Sequence, residues 1–195
     1  TALNVTVSGV VLNEDVDYYS VELKKGQRLT AEIEGIRLGA TLFDPYVAIL
    51  NEKRFELDSS DDTALLMQDS VASILAPEDG TYVLMVRETS YGGGADAAYR
   101  LHVGTFPRPL AVYPAGGPPG TVFEASLVGD ISGPIPLKVA LDAGAKDKAA
   151  VWGVQDGLQS PSPNWIRISP FPNVMEVEPN ETRETATTVP GALPA

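Results

Sequence analysis

The sequence predicts an all-β protein made of two modules. Short runs in which apolar and polar residues alternate recur along the chain, and no run carries a helical period of useful length. The 18 glycines and 16 prolines are typical of a chain that turns often between short strands. With 195 residues and a hydrophobic content of 44%, the chain is long enough to form two packed cores.

The N-terminal part is predicted to form a sandwich of strands. Its first run alternates and is rich in β-branched side chains, which favour extended structure. The second run alternates again and reaches the third through a turn at residues 24–27, so the chain begins as a β-meander. The predicted strands of this part are 3–11, 18–24, 28–36, 46–50, 54–59, 71–75, 81–87 and 97–103.

A boundary is predicted near residues 105–109. Pro107 and Pro109 stand two apart, so they end the last strand and form a short stiff linker. The strands predicted beyond it are 121–128, 135–141, 149–154 and 165–168. So few strands predict a small or incomplete sandwich that leans on its neighbour.

The second module contains both tryptophans of the chain, Trp152 and Trp165. They fit an aromatic platform for sugar rings. They also fit an arrangement in which one tryptophan is in the core and the other packs against the linker. The residues alone leave both interpretations open.

Charge and composition exclude several classes of function. The net charge of −12 disfavours nucleic acid and anionic membranes as partners, because their phosphates would be repelled. No apolar run approaches the roughly 18 residues of a transmembrane helix, so no membrane insertion is expected. The chain has no cysteine, which excludes disulfides and a thiol nucleophile.

Catalysis is not expected from this sequence. The single histidine, His102, lies in an alternating strand and is predicted to be structural, although any Ser-His-Asp triad would need it. Glu32 and Glu34 are of the residue type that glycosidases use, but their two-residue spacing on a strand predicts one solvated face. No zinc motif and no phosphate-binding glycine loop occurs.

An acidic stretch near the end of the chain predicts a calcium site. In an extended strand, residues two apart point the same way, so Glu176, Glu178 and Asn180 would present oxygen ligands along one face, with Glu181 beside them. Calcium takes six to eight oxygens, so this segment supplies about half of a site. Asp15 and Asp17 repeat the same spacing near the start of the chain and are predicted to supply further ligands.

These acidic stretches belong to an ordered set of motifs. Besides the tail segment, the members are Asn13 to Tyr19, which contains Asp15 and Asp17, and Lys25 to Leu29, Leu42 to Tyr46, Ala76 to Tyr82 and Ala98 to Leu101. Together the motifs cover roughly residues 3–105 and 174–195. The set resembles the bacterial pre-peptidase C-terminal domain, a small β-sandwich related to the collagen-binding domains of bacterial collagenases.

The resemblance implies a domain organisation. Residues 1–106 are expected to form a jelly-roll-like β-sandwich of this family, in an extracellular or cell-surface protein of bacteria. Residues 107–173, which open with a run rich in glycine and proline at 113–120, resemble an immunoglobulin-like module that accompanies such domains. Residues 174–195 form an extended tail.

The order of the motifs is permuted relative to the family. The segment with Glu176 to Thr182 precedes the Asp15–Asp17 segment in the family, whereas here it follows everything else. Placing the C-terminus ahead of the N-terminus gives one uninterrupted start of such a domain. The tail is therefore predicted to carry the first strand of a sandwich, either its own or that of a neighbouring subunit.

Two functions follow from this interpretation. The first is a calcium-binding structural module that assembles into an oligomer or filament by donating the tail as a strand to a neighbour. The second is an accessory module of a secreted hydrolase that holds a polysaccharide or collagen. The tyrosines give no evident aromatic strip in the sequence, which favours the first function over the second.

Overall fold

The computed structural model describes residues 3–39, 42–63 and 66–189, and its architecture is all-β, as predicted. The first module is a sandwich of two four-stranded antiparallel sheets. Sheet I has the strand order β1-β8-β3-β6, and sheet II has the order β2-β7-β4-β5. The strands are β1 (Val5–Val10), β2 (Val16–Leu23), β3 (Arg28–Glu34), β4 (Pro45–Leu50), β5 (Glu56–Ser60), β6 (Val71–Leu75), β7 (Gly80–Glu88) and β8 (Ala98–Gly104).

The two sheets bury the alternate apolar residues of their strands against each other. On β3, for example, Leu29, Ala31 and Ile33 are fully buried and belong to one core. The largest side chains of this core are Phe43, Tyr82 and Tyr99. All eight predicted strands form within a few residues of their predicted bounds.

Strands β2 and β5 begin at residues other than the predicted ones. Strand β2 begins at Val16, two residues earlier than predicted. Strand β5 begins at Glu56, two residues later, because the side-chain oxygen of Asn51 accepts hydrogen bonds from the backbone N–H groups of Lys53 and Phe55 at 2.9 and 3.0 Å. These bonds extend the turn as far as Phe55. A short 3₁₀ turn, Ile36–Leu38, follows β3.

The second module packs two three-stranded sheets around a smaller core that includes Leu127, Val151 and Ile166. Its strands are β9 (Ala111–Tyr113), β10 (Gly116–Gly117), β11 (Val122–Val128), β12 (Ile135–Ala140), β13 (Lys148–Val151), β14 (Val154–Gln155), β15 (Leu158–Gln159) and β16 (Asn164–Ile168). Sheet III has the order β12-β11-β9, sheet IV has the order β10-β16-β13, and β14 and β15 form a separate hairpin. Strands β9, β10, β14 and β15 were not predicted, because two or three residues are too few to show alternation.

The positions of the tryptophans differ from the predicted arrangement in which one of them lies in the core. Trp152 and Trp165 are 41% and 47% exposed, and neither belongs to the core of the second module. Trp165 alternates on β16 with the buried Asn164 and Ile166, so it points outward, and Lys148 lies 4.1 Å from the centre of its ring.

The second module and the linker cover the outer face of strand β3, so the predicted solvated face of Glu32 and Glu34 is wrong for Glu32. Glu32 is fully buried at the joint. Its Oε1 lies 3.0 Å from Nη2 of Arg37, and its Oε2 lies 2.8 Å from Nε of Arg108 in the linker. The hydroxyl of Ser162, in the second module, also donates to Glu32. Alternation placed Glu32 on the outside of the sheet correctly, but the neighbouring module removes that side from solvent.

A second set of polar contacts joins the modules beside the first. Nη2 of Arg28, on β3, contacts Oδ1 of Asp130 at 2.6 Å and donates hydrogen bonds to Ser132 at 2.6 Å and Gln155 at 2.8 Å. The side chains of Arg28 and Asp130 are almost fully buried. Both modules therefore contribute charged groups to one buried interface.

The tail forms no strand over residues 174–189, the part of it that the structure describes. Just before the tail, the amide of Asn173 donates to the carbonyl of Gly116 at 2.5 Å and holds the chain to the second module. Beyond this point nearly every described residue is exposed. Over the described residues 174–189, the extended strand that alternation predicts is absent, and no described strand pairs with this segment. Residues 190–195 of the predicted tail lie outside the described residues.

Candidate functional site

The two aspartates of the predicted calcium site have partners within the first module. Both carboxylate oxygens of Asp15 accept backbone hydrogen bonds, from Leu12 at 3.3 Å and from Val16 at 2.9 Å, so this side chain closes the turn between β1 and β2. Oδ2 of Asp17 accepts a hydrogen bond of 2.6 Å from the hydroxyl of Tyr99. Both aspartates thus have structural roles.

Tyr99 lies at the centre of a hydrogen-bonded cluster that also contains Asp17 and Tyr19. Its ring is buried in the core of the first module, and its hydroxyl also bonds the hydroxyl of Tyr19. Burial raises the pKa of Tyr99, and the hydrogen bonds to Asp17 and Tyr19 raise it further. Burial also raises the pKa of Tyr19. Both phenols are therefore held protonated against the Asp17 carboxylate.

The tail residues of the predicted site lie close together, but by a turn instead of a strand. The backbone N–H of Asn180 donates to Glu178 at 2.9 Å, and its side-chain amide donates to Glu176 at 3.2 Å. Glu181 follows in an exposed bend.

The structure does not group the six predicted calcium ligands within one chain. Across residues 3–39, 42–63 and 66–189, no three acidic or histidine side chains are grouped as a cation would require. The carboxylates of Asp15 and Asp17 accept hydrogen bonds within the first module. The acidic tail residues contact Asn180 in the tail instead of those aspartates. A complete site would need ligands from elsewhere.

The outer face of sheet II carries a groove that the sequence interpretation missed. Because neighbouring residues on a strand point to opposite faces, Tyr19 enters the core while Tyr18 is left 59% exposed on the outside. Together with apolar residues of β4 and β7, Tyr18 forms a cavity of about 460 Å³. The residues that line it are Tyr18, Leu50, Asn51, Glu52, Arg54, Glu56, Val83 and Met85. We call this cavity the tyrosine groove.

Two more tyrosines lie beside Arg87, an arginine on β7 of sheet II. The guanidinium of Arg87, on β7, lies 4.0 Å from the ring centre of Tyr46 and 4.5 Å from that of Tyr91. Tyr46 stands directly opposite Arg87 across the β4–β7 pair, and its hydroxyl donates to Glu56 in the wall of the tyrosine groove. The signal in the sequence was the doublet Tyr18-Tyr19, since one of two adjacent strand residues must face outward.

The single histidine is buried beside the joint between the modules. Nδ1 of His102 lies 2.8 Å from the hydroxyl of Thr6, and Nε2 lies 3.2 Å from Oε2 of Glu34. Oε2 of Glu34 also accepts a hydrogen bond of 2.8 Å from Arg100. No serine among these contacts offers a nucleophile.

Within the described part of the chain, no helix has the length and apolar content that crossing a membrane requires.

Comparison with known proteins identifies one region of the chain. Residues 15–88 match the family described as the bacterial pre-peptidase C-terminal domain, which confirms the resemblance for this range. The range contains all four strands of sheet II together with β3 and β6.

The chain matches the crystal structure of the pre-peptidase C-terminal domain of a collagenase from Bacillus anthracis with 18% sequence identity and a TM-score of 0.41. That match covers 52% of this chain and 89% of the other. No curated protein matches the sequence.

Proposed function

We propose that this chain is a non-catalytic, extracellular binding module of a larger bacterial protein, and that it holds a polymer, collagen or polysaccharide, in the tyrosine groove. The observation that carries the proposal is the groove itself, which presents Tyr18 beside apolar and charged side chains on an uncovered sheet. The match to the pre-peptidase C-terminal domain spans every strand that forms it.

The composition of the groove suits recognition of a polymer. Val83, Met85 and Leu50 supply an apolar floor, while Arg54 and Glu56 supply a donor and an acceptor at its sides. A tyrosine that is already exposed offers a large contact surface at a small entropic cost. The second module lies on sheet I, on the opposite side of the sandwich, so it leaves the groove open.

Substitution of Tyr18 by alanine tests this function. We expect retention on insoluble collagen, cellulose or chitin to fall about tenfold for the polymer that binds, because an exposed tyrosine at the centre of an interface contributes on the order of 1–2 kcal/mol. Retention is measured as an apparent Kd from the bound fraction over a range of polymer concentrations.

Tyr113 provides a matched control, since it is 49% exposed but lies on the second module. Tyr113→Ala should bind like the unmodified chain. Equal losses in the two variants would show that the groove is not the binding surface. Absence of retention on all three polymers would refute the function itself.

A second candidate function is self-association through the tail. Its support is that Val174, Met175 and Val177 are 42%, 43% and 68% exposed and line an open cavity of about 630 Å³ within the tail. Such apolar side chains gain from burial against another surface. In this proposal the tail docks on a neighbouring copy, and calcium bridges its Glu176, Glu178, Asn180 and Glu181 to that copy.

Removal of residues 174–195 tests the second candidate. We expect the full chain to form oligomers or filaments in calcium and to return to monomer with a chelator, because bridging carboxylates between copies would repel one another without the cation. The truncated chain should stay monomeric in both conditions, as measured by light scattering and electron microscopy. Assembly of the truncated chain in calcium would exclude a role for the tail.

A further inference from the structure

We propose that the cavity between the two modules binds a neutral sugar unit. The cavity measures about 380 Å³ and is separate from the tyrosine groove, because it borders sheet I while the groove lies on sheet II. Its lining comes from β1, β3, β8, the linker and the β15 region. Its volume falls within the roughly 300–1,000 Å³ of small-molecule sites, which often form where domains meet.

A buried imidazole lines this cavity without a complete set of hydrogen bonds. The side chain of His102 is only 9% exposed, and Thr6 occupies its Nδ1. Nε2 lies 3.2 Å from Oε2 of Glu34, yet it makes no hydrogen bond within the described part of the chain. Nε2 itself has almost no accessible surface, so a ligand in the cavity meets Thr6, Glu34 and Arg100 around the ring instead of this nitrogen.

The tautomer of His102 follows from its neighbours. A lone pair on Nε2 would face the lone pairs of the Glu34 carboxylate and be repelled, so we assign the proton to Nε2 and the accepting lone pair to Nδ1. The hydroxyl of Thr6 then donates to Nδ1. The Nε2 proton therefore faces Glu34, and a ligand that bonds Glu34 changes the environment of the imidazole.

The charges of the cavity favour a neutral ligand over an ion. Among the carboxylates and guanidinium groups of the lining, Glu34 and Arg100 are joined by a hydrogen bond of 2.8 Å and cancel each other. Neither an anion nor a cation gains net attraction from such a pair. Hydroxyl groups both donate and accept, so a ring of hydroxyls can bond the carboxylate and the guanidinium at once.

The rest of the lining suits the apolar face of a sugar ring. Val5, Phe106, Leu158 and Pro161 border the cavity, and Gln159 adds an amide with both a donor and an acceptor. Leu158 and Gln159 belong to the second module, while Glu34, Arg100 and His102 belong to the first. The site therefore exists only when both modules are joined.

Titration of the full chain with sugars, followed by NMR of the imidazole nitrogens, tests this proposal. Because His102 is the only histidine, its ring gives one isolated pair of signals. We expect at least one of glucose, galactose, mannose and N-acetylglucosamine to shift these signals in a saturable way. Inorganic phosphate, titrated in parallel, should not.

Variants on the cavity wall identify the site. Arg100→Ala and Gln159→Ala should each weaken the sugar response about tenfold, because each removes one hydrogen-bonding group from an exposed part of the lining. Tyr18→Ala, in the tyrosine groove, should leave it unchanged. The proposal fails if no sugar gives a saturable shift, if phosphate gives one that Arg100→Ala abolishes, or if Tyr18→Ala weakens the response as much as the wall variants.

Discussion

Replacing Glu32 by alanine is expected to lower the free energy of unfolding by about 3–5 kcal/mol, the usual cost of removing one partner from a buried ion pair. The side chain of Arg108 is 1% exposed, so it would keep its charge without a carboxylate beside it. Burial already lowers the pKa of Arg108, and the charge of Glu32 offsets only part of that effect. Chemical denaturation measures the change.

The charge of Arg37 should be less affected by this substitution, since Arg37 also pairs with a second carboxylate. Its Nε lies 2.5 Å from Oδ2 of Asp69. Although burial alone would lower the pKa of Arg37, the hydrogen bond to Asp69 and the charges of Glu32 and Asp69 raise it overall. Most of the cost of Glu32→Ala is therefore expected at Arg108, in the joint between the modules.

An exposed ion pair gives the control for Glu32→Ala. Nζ of Lys138, on β12, lies 3.6 Å from Oε1 of Glu124, on β11, and both side chains are largely exposed. Because such pairs contribute little, Glu124→Ala should leave the stability nearly unchanged. The double variant Glu32→Met with Arg108→Met should lose less stability than Glu32→Ala, since no charge is left unpaired. Equal stability of Glu32→Ala and the unmodified chain would show that the buried pair does not stabilise the joint.

Substitution of Gly9 by alanine is expected to destabilise the first module by about 1–3 kcal/mol. Gly9 stands directly opposite Tyr99 across the β1–β8 pair. A Cβ at position 9 would lie 2.4 Å from the tyrosine ring and hydroxyl, a distance that forces one of them to move. Any movement of Tyr99 also disturbs its hydrogen bond to Asp17. Thermal or chemical unfolding measures the effect.

Gly144 offers a matched control for Gly9→Ala. A Cβ at position 144 would meet no atom within 4 Å, so Gly144→Ala should be nearly neutral. In a Tyr99→Leu background, where the ring is absent, the cost of Gly9→Ala should shrink, and the coupling between the two sites can be read from the double-mutant cycle. Additive effects would mean that Gly9 does not act through Tyr99.

The strands of the first module were determined by the sequence itself. Alternation of apolar and polar residues decides which residues of β3, β7 and β8 enter the core, because the side chains of a strand have a period of two. The motifs of the N-terminal part also predicted its family correctly over residues 15–88. Both signals are local, so they can be read without knowing what lies beside the strand.

The site residues could not be derived in the same way. Sequence spacing predicted that Asp15 and Asp17 supply oxygen ligands on one face of a strand. In the fold, each of these carboxylates accepts hydrogen bonds from a different partner. The tyrosine groove joins residues from three separate segments, and only strand pairing brings Tyr18 next to Met85 and places Ala48 on the other side of Met85. Pairing across a sheet leaves no mark on local spacing.

What the sequence alone determined was therefore the class of fold and the inner and outer faces of each strand of the first module. The tertiary structure decided what covers those faces. Glu32 and Tyr18 are both outward residues, yet Glu32 is buried under the second module while Tyr18 faces solvent. The reason is physical: period-two alternation fixes the direction of a side chain relative to its own sheet, whereas burial depends on which distant part of the chain packs on that sheet.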